Sequence, residues 1–195
     1  MNRLTLVRHA KTDMAGTFCG HSDPALNEGG RAQLESLVDR LRCEEFHKIF
    51  TSDLTRARQT AHAISSHFGI EAIERPGLRE IYFGEWEGLS WNEIESRNLS
   101  LAKRWVLEYP NLPAPAGETF PKFEARVRGE TEFLLQQAAQ FPLLVVTHAG
   151  FLRVALAHRY GGAKKGALET TPDYAAVIFT DSQALALSTG LYRHR

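Results

Sequence analysis

The chain is short of several things, and each shortage closes a class of function. It has two cysteines in 195 residues, Cys19 and Cys43, with no CxxC pair and no multi-cysteine spacing. That excludes a disulfide-stapled scaffold and a zinc framework, and predicts two free thiols in a reducing compartment. It has no excess of one charge: 23 lysines and arginines balance 23 aspartates and glutamates. A neutral chain has no overall field to draw nucleic acid or an anionic membrane, so any anion chemistry must be local. Long apolar runs are also missing. The start, MNRLTLVRHA, turns charged too soon for a signal peptide or a membrane span, and LLVV at 143–146 is only strand-sized. A cytoplasmic protein is expected, with neither nucleic acid nor membrane as partner. There is no internal repeat, no low-complexity segment and no signature of oligomeric state.

What is present is core-forming material. A hydrophobic content of 43% suffices for a sizeable core, and the length predicts one domain over 1–195. RLTLV at 3–7 reads as a strand. Leu34, Leu37, Val38 and Leu41 share a helical face over about 28–42, with Asn27 as N-cap. KIFTS at 48–52 leads into Asp53 as N-cap of a helix striped by Leu54, Ala57, Ala61, Ile64 and Phe68. Residues 119–140 read as helix, LLVVT at 143–147 as a buried strand, and Phe151 to Arg159 as helix. Two last strands, about 174–180 and 184–189, flank a turn at Asp181-Ser182 as a hairpin edge. Strands alternating with helices predict an α/β sheet covered on both faces. The stretch 86–118, with Trp86, Trp91, Trp105 and prolines 110, 113 and 115, breaks the rhythm and reads as a lid-like insertion.

Ligands of open α/β sheets bind outside the carboxyl ends of the strands. Two histidines stand at such ends: His9, after LTLV and beside Arg8, and His148, after LLVVT and before Ala149-Gly150. The guanidinium fork of Arg8 matches an oxyanion with several oxygens, of which phosphate is the natural candidate. Arg56, on the first turn of its helix, lies where free N–H groups and the helix dipole favour anions, and the turn at Ala149 offers amides in the same way. Histidine attacks phosphorus through a neutral ring nitrogen while its other nitrogen is anchored, which suits His9. His148 suits the donor that meets charge spreading over the phosphoryl oxygens. A leaving oxygen also needs a proton, and sequence physics does not choose the acid among the 23 carboxylates.

The blocks VRHAKT (7–12), TSDLTRARQTA (51–61), LREIYFGEWEG (78–88) and VTHAGFLR (146–153) stand in an order that resembles the histidine phosphatase superfamily, also called phosphoglycerate-mutase-like. The resemblance implies a phosphohistidine on His9, a phosphate pocket of Arg8, Arg56 and His148, and Glu80 as proton donor. It also implies a three-layer α/β/α sandwich with a mixed, largely parallel sheet, and neither metal nor other cofactor. FCGHSDPALNEGGRAQ (18–33) looks like the family's first loop and helix, where backbone at Cys19 and Gly20 borders substrate. Thr12 falls at the family's phosphate-loop hydroxyl. The chain departs from the family at Ala10, where glycine is usual, and at Lys11, where glutamate is frequent.

Within the family, Ile81, Phe83 and Trp91 replace residues that the mutases carry. GHSDPALNEGGRAQ with LREIYFGEWEGLSWNEI looks most like the alpha-ribazole phosphatases, which act on a nucleoside-like intermediate of cobalamin synthesis. The implied substrate is a small phosphomonoester such as alpha-ribazole phosphate, and a tryptophan of 86–118 could stack on its flat base. The alternatives are a phosphoglycerate mutase, a non-catalytic phosphate-binding protein, and a metal hydrolase built on His21 and Asp23.

Overall fold

The computed structural model describes residues 3–160 and 173–181. Strand β1 (Arg3–Arg8) lies beside β4 (Leu143–Thr147), and β2 (Lys48–Thr51) flanks β4 on its other side. A short β3 (Ala72–Glu74) and β5 (Val177–Asp181) form the edges, giving the order β3-β2-β4-β1-β5. All neighbours run parallel except β5, which is antiparallel to β1. All five residues of β4 are buried, as a central strand covered on both faces requires.

The period-2 alternation of the strands sorts their side chains between two cores. Leu4, Leu6, Leu143 and Val145 face α5 (Phe120–Ala138) and α6 (Ala149–Tyr160), packing on Phe123, Val127, Leu134, Phe151 and Leu152. Val7, Ile49, Leu144 and Val146 face α1 (Glu28–Leu41) and α2 (Thr55–Phe68), packing on Leu37, Leu41, Ala57, Ala61 and Ile64. The result is the expected three-layer sandwich with a mixed, mostly parallel sheet.

Asn27 caps α1 as predicted, accepting the Gly30 N–H at 2.8 Å. Asp53 does not cap α2. Its carboxylate is taken by Arg79, with Oδ1 to Nε at 2.7 Å, and the N-cap position falls to Leu54, which has no side-chain cap bond. The orphan N–H of Thr55 is served from a distant loop by Asp23, which also accepts the Thr55 hydroxyl at 2.7 Å. The last strand begins at Val177 rather than 174 and runs through Asp181, where a turn was expected; the strand expected at 184–189 lies outside the described residues.

The 86–118 stretch has structure of its own. Ser90 opens α3 (Trp91–Arg97) with a capping box to Glu93, and Asn98 ends that helix and caps α4 (Leu99–Glu108). Trp86, Trp91 and Trp105 pack on one another and around Phe18 and Phe83, forming with Ile94 and Ala102 a third, small core.

Candidate active site

The parallel register builds the centre of the site. Arg8 of β1 pairs with Thr147 of β4, and Thr51 of β2 pairs with Val146, so the residues that follow come off the sheet side by side. The His9 N–H donates to the Thr147 carbonyl at 2.9 Å, and the Ser52 N–H donates to the Val146 carbonyl at 3.0 Å. His9, His148 and Ser52 therefore form a row at the carboxyl end of three adjacent strands. The two imidazole rings lie 5.0 Å apart, both buried.

The His9 ring is held in one tautomer. Nδ1 is 2.7 Å from the Ala10 carbonyl, which can only accept, so the ring proton sits on Nδ1 and Nε2 carries the lone pair. The Arg56 Nε–H points at that nitrogen from 3.3 Å. Burial, then the charge of Arg56, hold His9 well below the ordinary histidine value of 6.5, outweighing the Ala10 hydrogen bond, and Arg8 adds to the shift. His148 is depressed in the same way, by burial first and then by Arg56 and the neighbouring groups. Its Nε2 meets the Ser52 hydroxyl at 2.9 Å, while its buried Nδ1 has no hydrogen-bond partner among the described residues.

Arg56 is fully buried, and three carbonyls of one loop hold its guanidinium. Nη1 donates to Ser22 at 2.7 Å, and Nη2 to Gly20 at 2.7 Å and Cys19 at 3.4 Å. The Cys19 and Gly20 backbone predicted to border substrate thus lies against Arg56, and burial pushes the Cys19 thiol up. Arg8 lies with its guanidinium 3.6 Å from the ring centre of Tyr174, whose edge also meets His9. Thr12 is buried beyond His9, its backbone bridging Leu26. Ala149 begins α6 directly after His148.

Glu80 arrives by a different route. Its Oε2 accepts the Gly150 N–H at 2.8 Å on the first turn of α6, and its Oε1 accepts the N–H of Ile81. A Cβ at position 150 would fall 2.0 Å from Glu80 Oε1, so the carboxylate reaches this turn because the residue is glycine. Arg126 fixes the backbone below, donating to the carbonyls of Gly77, Arg79 and Glu80. His21 also donates to the Glu80 carbonyl, and Asp23 is the helix cap described above, so the H-x-D pair is engaged elsewhere. Among the described residues no three histidine, cysteine or carboxylate side chains are grouped to hold a metal.

Sequence reasoning missed Ser52, Tyr174 and Glu87, whose carboxylate accepts the N–H groups of Gly20, His21 and Ser22. Ser52 was reachable, being the first polar residue after a third apolar strand. Tyr174 and Glu87 carried no local signal.

A model of the histidine phosphatase superfamily (branch 1) matches residues 4–183. The chain belongs to that superfamily. It is 32% identical over 157 residues to the adenosylcobalamin/alpha-ribazole phosphatase of Salmonella typhimurium, a match covering 80% of this chain and 78% of the relative. Phosphoserine phosphatase 1 of Hydrogenobacter thermophilus is 31% identical over 150 residues, covering 76% and 71%. In structure, the alpha-ribazole phosphatase from Shigella flexneri superposes with a TM-score of 0.84 at 25% identity, covering 92% of this chain and 90% of that one. Among the described residues, no helix of this histidine phosphatase is long and apolar enough to cross a membrane.

Proposed function

We propose that the protein is a cytoplasmic phosphomonoester hydrolase that works without metal through a phosphohistidine on His9. The observation that carries this is the His9 ring: Nδ1 tied to Ala10, Nε2 bearing its lone pair beside the Arg56 Nε–H, and the ring kept neutral by burial and two arginines. A neutral, oriented imidazole facing a cationic pocket is what attack on a phosphoryl group needs.

In this reading His9 Nε2 forms the N–P bond as the P–O bond to the leaving group breaks, and Glu80 gives its proton to the departing oxygen. Arg8, Arg56 and the unpaired Nδ1 side of His148 take the charge of the three non-bridging oxygens. Ser52 holds His148 from the other side. Water then attacks phosphorus, Glu80 takes its proton, the N–P bond breaks, and inorganic phosphate leaves with His9 restored. Thr12, the Cys19–Gly20 backbone and Ala149 line the phosphate end, and the 86–118 segment is the lid over the rest.

The substrate is a small phosphorylated metabolite, with alpha-ribazole phosphate the first candidate, supported by the Salmonella and Shigella relatives; phosphoserine is the second, after the Hydrogenobacter enzyme. Quenched turnover should give a base-stable, acid-labile phosphoenzyme that is absent from His9→Ala, together with loss of aryl phosphate hydrolysis. Hydrolysis at the wild-type rate by His9→Ala would sink the mechanism. A panel of alpha-ribazole phosphate, phosphoserine and 3-phosphoglycerate, followed for both free phosphate and isomerised product, separates the substrates and the mutase alternative.

A further inference from the structure

Glu87 lies outside the histidine pair, yet its carboxylate collects the amides of one short loop. Oε2 accepts from the Gly20 N–H at 3.1 Å, the Ser22 N–H at 2.9 Å and the Ser22 hydroxyl at 2.6 Å; Oε1 accepts from the His21 N–H at 2.8 Å and the Phe83 N–H at 3.0 Å. The carbonyls of the same loop, at Cys19, Gly20 and Ser22, are those that hold the Arg56 guanidinium. A carboxylate on one side and a guanidinium on the other thus grip a single loop between them, and each end polarises the peptide groups toward the other. The grip is close: a Cβ on Gly20 would fall 2.1 Å from the Ile81 carbonyl oxygen and 2.4 Å from Glu87 Oε1.

We propose that Glu87 is a positioning residue for phosphoryl transfer: it fixes loop 20–22, the loop fixes the Arg56 guanidinium, and Arg56 presents its Nε–H at His9 Nε2. The inference rests on the phosphatase reading above. Burial raises the Glu87 carboxyl, and the hydrogen bonds from Ser22, Phe83 and His21 outweigh that, leaving it below the usual carboxylate value. All five partners are donors, so the side chain must be an acceptor at both oxygens. An amide in its place turns one NH2 toward two or three N–H or O–H groups whichever way it is flipped. Freed loop amides turn to water, their carbonyls leave Arg56, and the guanidinium loses the register that aims Nε at the phosphoryl position. Its main path to the reaction runs through Arg56, beside the lesser link that His21 of the same loop makes to the Glu80 carbonyl.

That dependence can be measured, because a residue acting through another loses its effect when the other is removed. Glu87→Gln is to be assayed on an aryl phosphate in the wild-type and Arg56→Ala backgrounds, with inorganic phosphate as competitive probe. The expected result is a fall in kcat of about 10- to 100-fold in the wild-type background, a parallel weakening of phosphate inhibition, and less than about a threefold change in the Arg56→Ala background. Ser22→Ala, which removes only the hydroxyl bond, gives the same pattern at a few-fold scale and stands in should Glu87→Gln fold poorly. Equal losses in both backgrounds, or a lowered melting temperature with kcat untouched, would overturn the proposal while leaving the phosphatase reading intact. A wild-type protein inert toward every phosphoester overturns both.

Discussion

The two halves of the site are made in different ways. His9, His148 and Ser52 leave the ends of three adjacent parallel strands, and their spacing follows from backbone register and two apolar cores. Glu80, the 20–22 loop and Glu87 come from segments with no repeating pattern. They are held by directional bonds from side chains to backbone: Gly150 to Glu80, loop amides to Glu87, and Arg126 to three carbonyls. Apolar packing is shared among many neighbours and degrades gradually. A directional contact between two groups fails when either is moved. Damage to the packing beneath the strand half should therefore show as lost stability, and damage to the contacts that hold the loop half as lost turnover.

The sharpest break in that comparison is Gly150, where the halves meet. Gly150→Ala drives a Cβ to within 2.0 Å of Glu80 Oε1 and displaces the carboxyl from its place beside the α6 amide. If Glu80 is the proton donor proposed above, its loss costs about 10²- to 10⁴-fold in forming the phosphoenzyme, so kcat/KM for an alkyl phosphate should fall by that order. An activated aryl ester, whose leaving group departs without a proton, should lose far less in kcat/KM, which stops before the water step that Glu80 also serves. Equal losses of kcat/KM on both esters would show that position 150 acts on something other than the proton donor.

How much of each half could be read in the sequence follows the same division. LLVVT, LTLV and KIFT announce buried strands by composition, and the residues next in line, Ser52 included, lie at ligand-binding positions by a rule that needs no partner. The Asn27 cap could be read because its partner, Gly30, is three residues away. Asp53 was misread as a cap because its true partner, Arg79, is 26 residues on. Glu80 was one of 23 carboxylates and could be singled out by resemblance alone, since the bond that selects it crosses 70 residues to Gly150. Glu87 and Tyr174 are hidden for the same reason. β3 is too short, at three residues, to leave a periodic trace.

Stability should separate the regions almost as clearly. Leu144 is fully buried in the central strand, and Leu144→Ala should cost about 3 kcal/mol in chemical denaturation through lost apolar contact and an unfilled cavity. The folded fraction should keep its KM and most of its kcat, because the backbone ladder that spaces the histidines remains. Leu107, on α4 outside the sandwich, is 83% exposed, and Leu107→Ala should change stability by less than about 0.5 kcal/mol. Comparable losses at the two positions would mean that the 86–118 segment and the sheet unfold as one evenly loaded unit.

Acid stability distinguishes the halves by pH window. His9 and His148 have native values well below 6.5, so below 6.5 the unfolded chain binds protons that the native state refuses. Stability is complete above 6.5 and falls as the pH drops from there toward the native values, at a slope of at most about 1.4 kcal/mol per pH unit for each histidine. Glu87 shifts the other kind of group in the same direction: its carboxyl is also depressed, from 4.5, so the stability it adds is present above 4.5 and lost only further into acid. Denaturant midpoints taken every half unit should therefore begin to decline near pH 6.5, and His148→Gln should flatten that first decline while leaving the one below 4.5. If Glu87→Gln removed the decline between 6.5 and 4.5 instead, acid sensitivity would belong to the loop half rather than to the histidines.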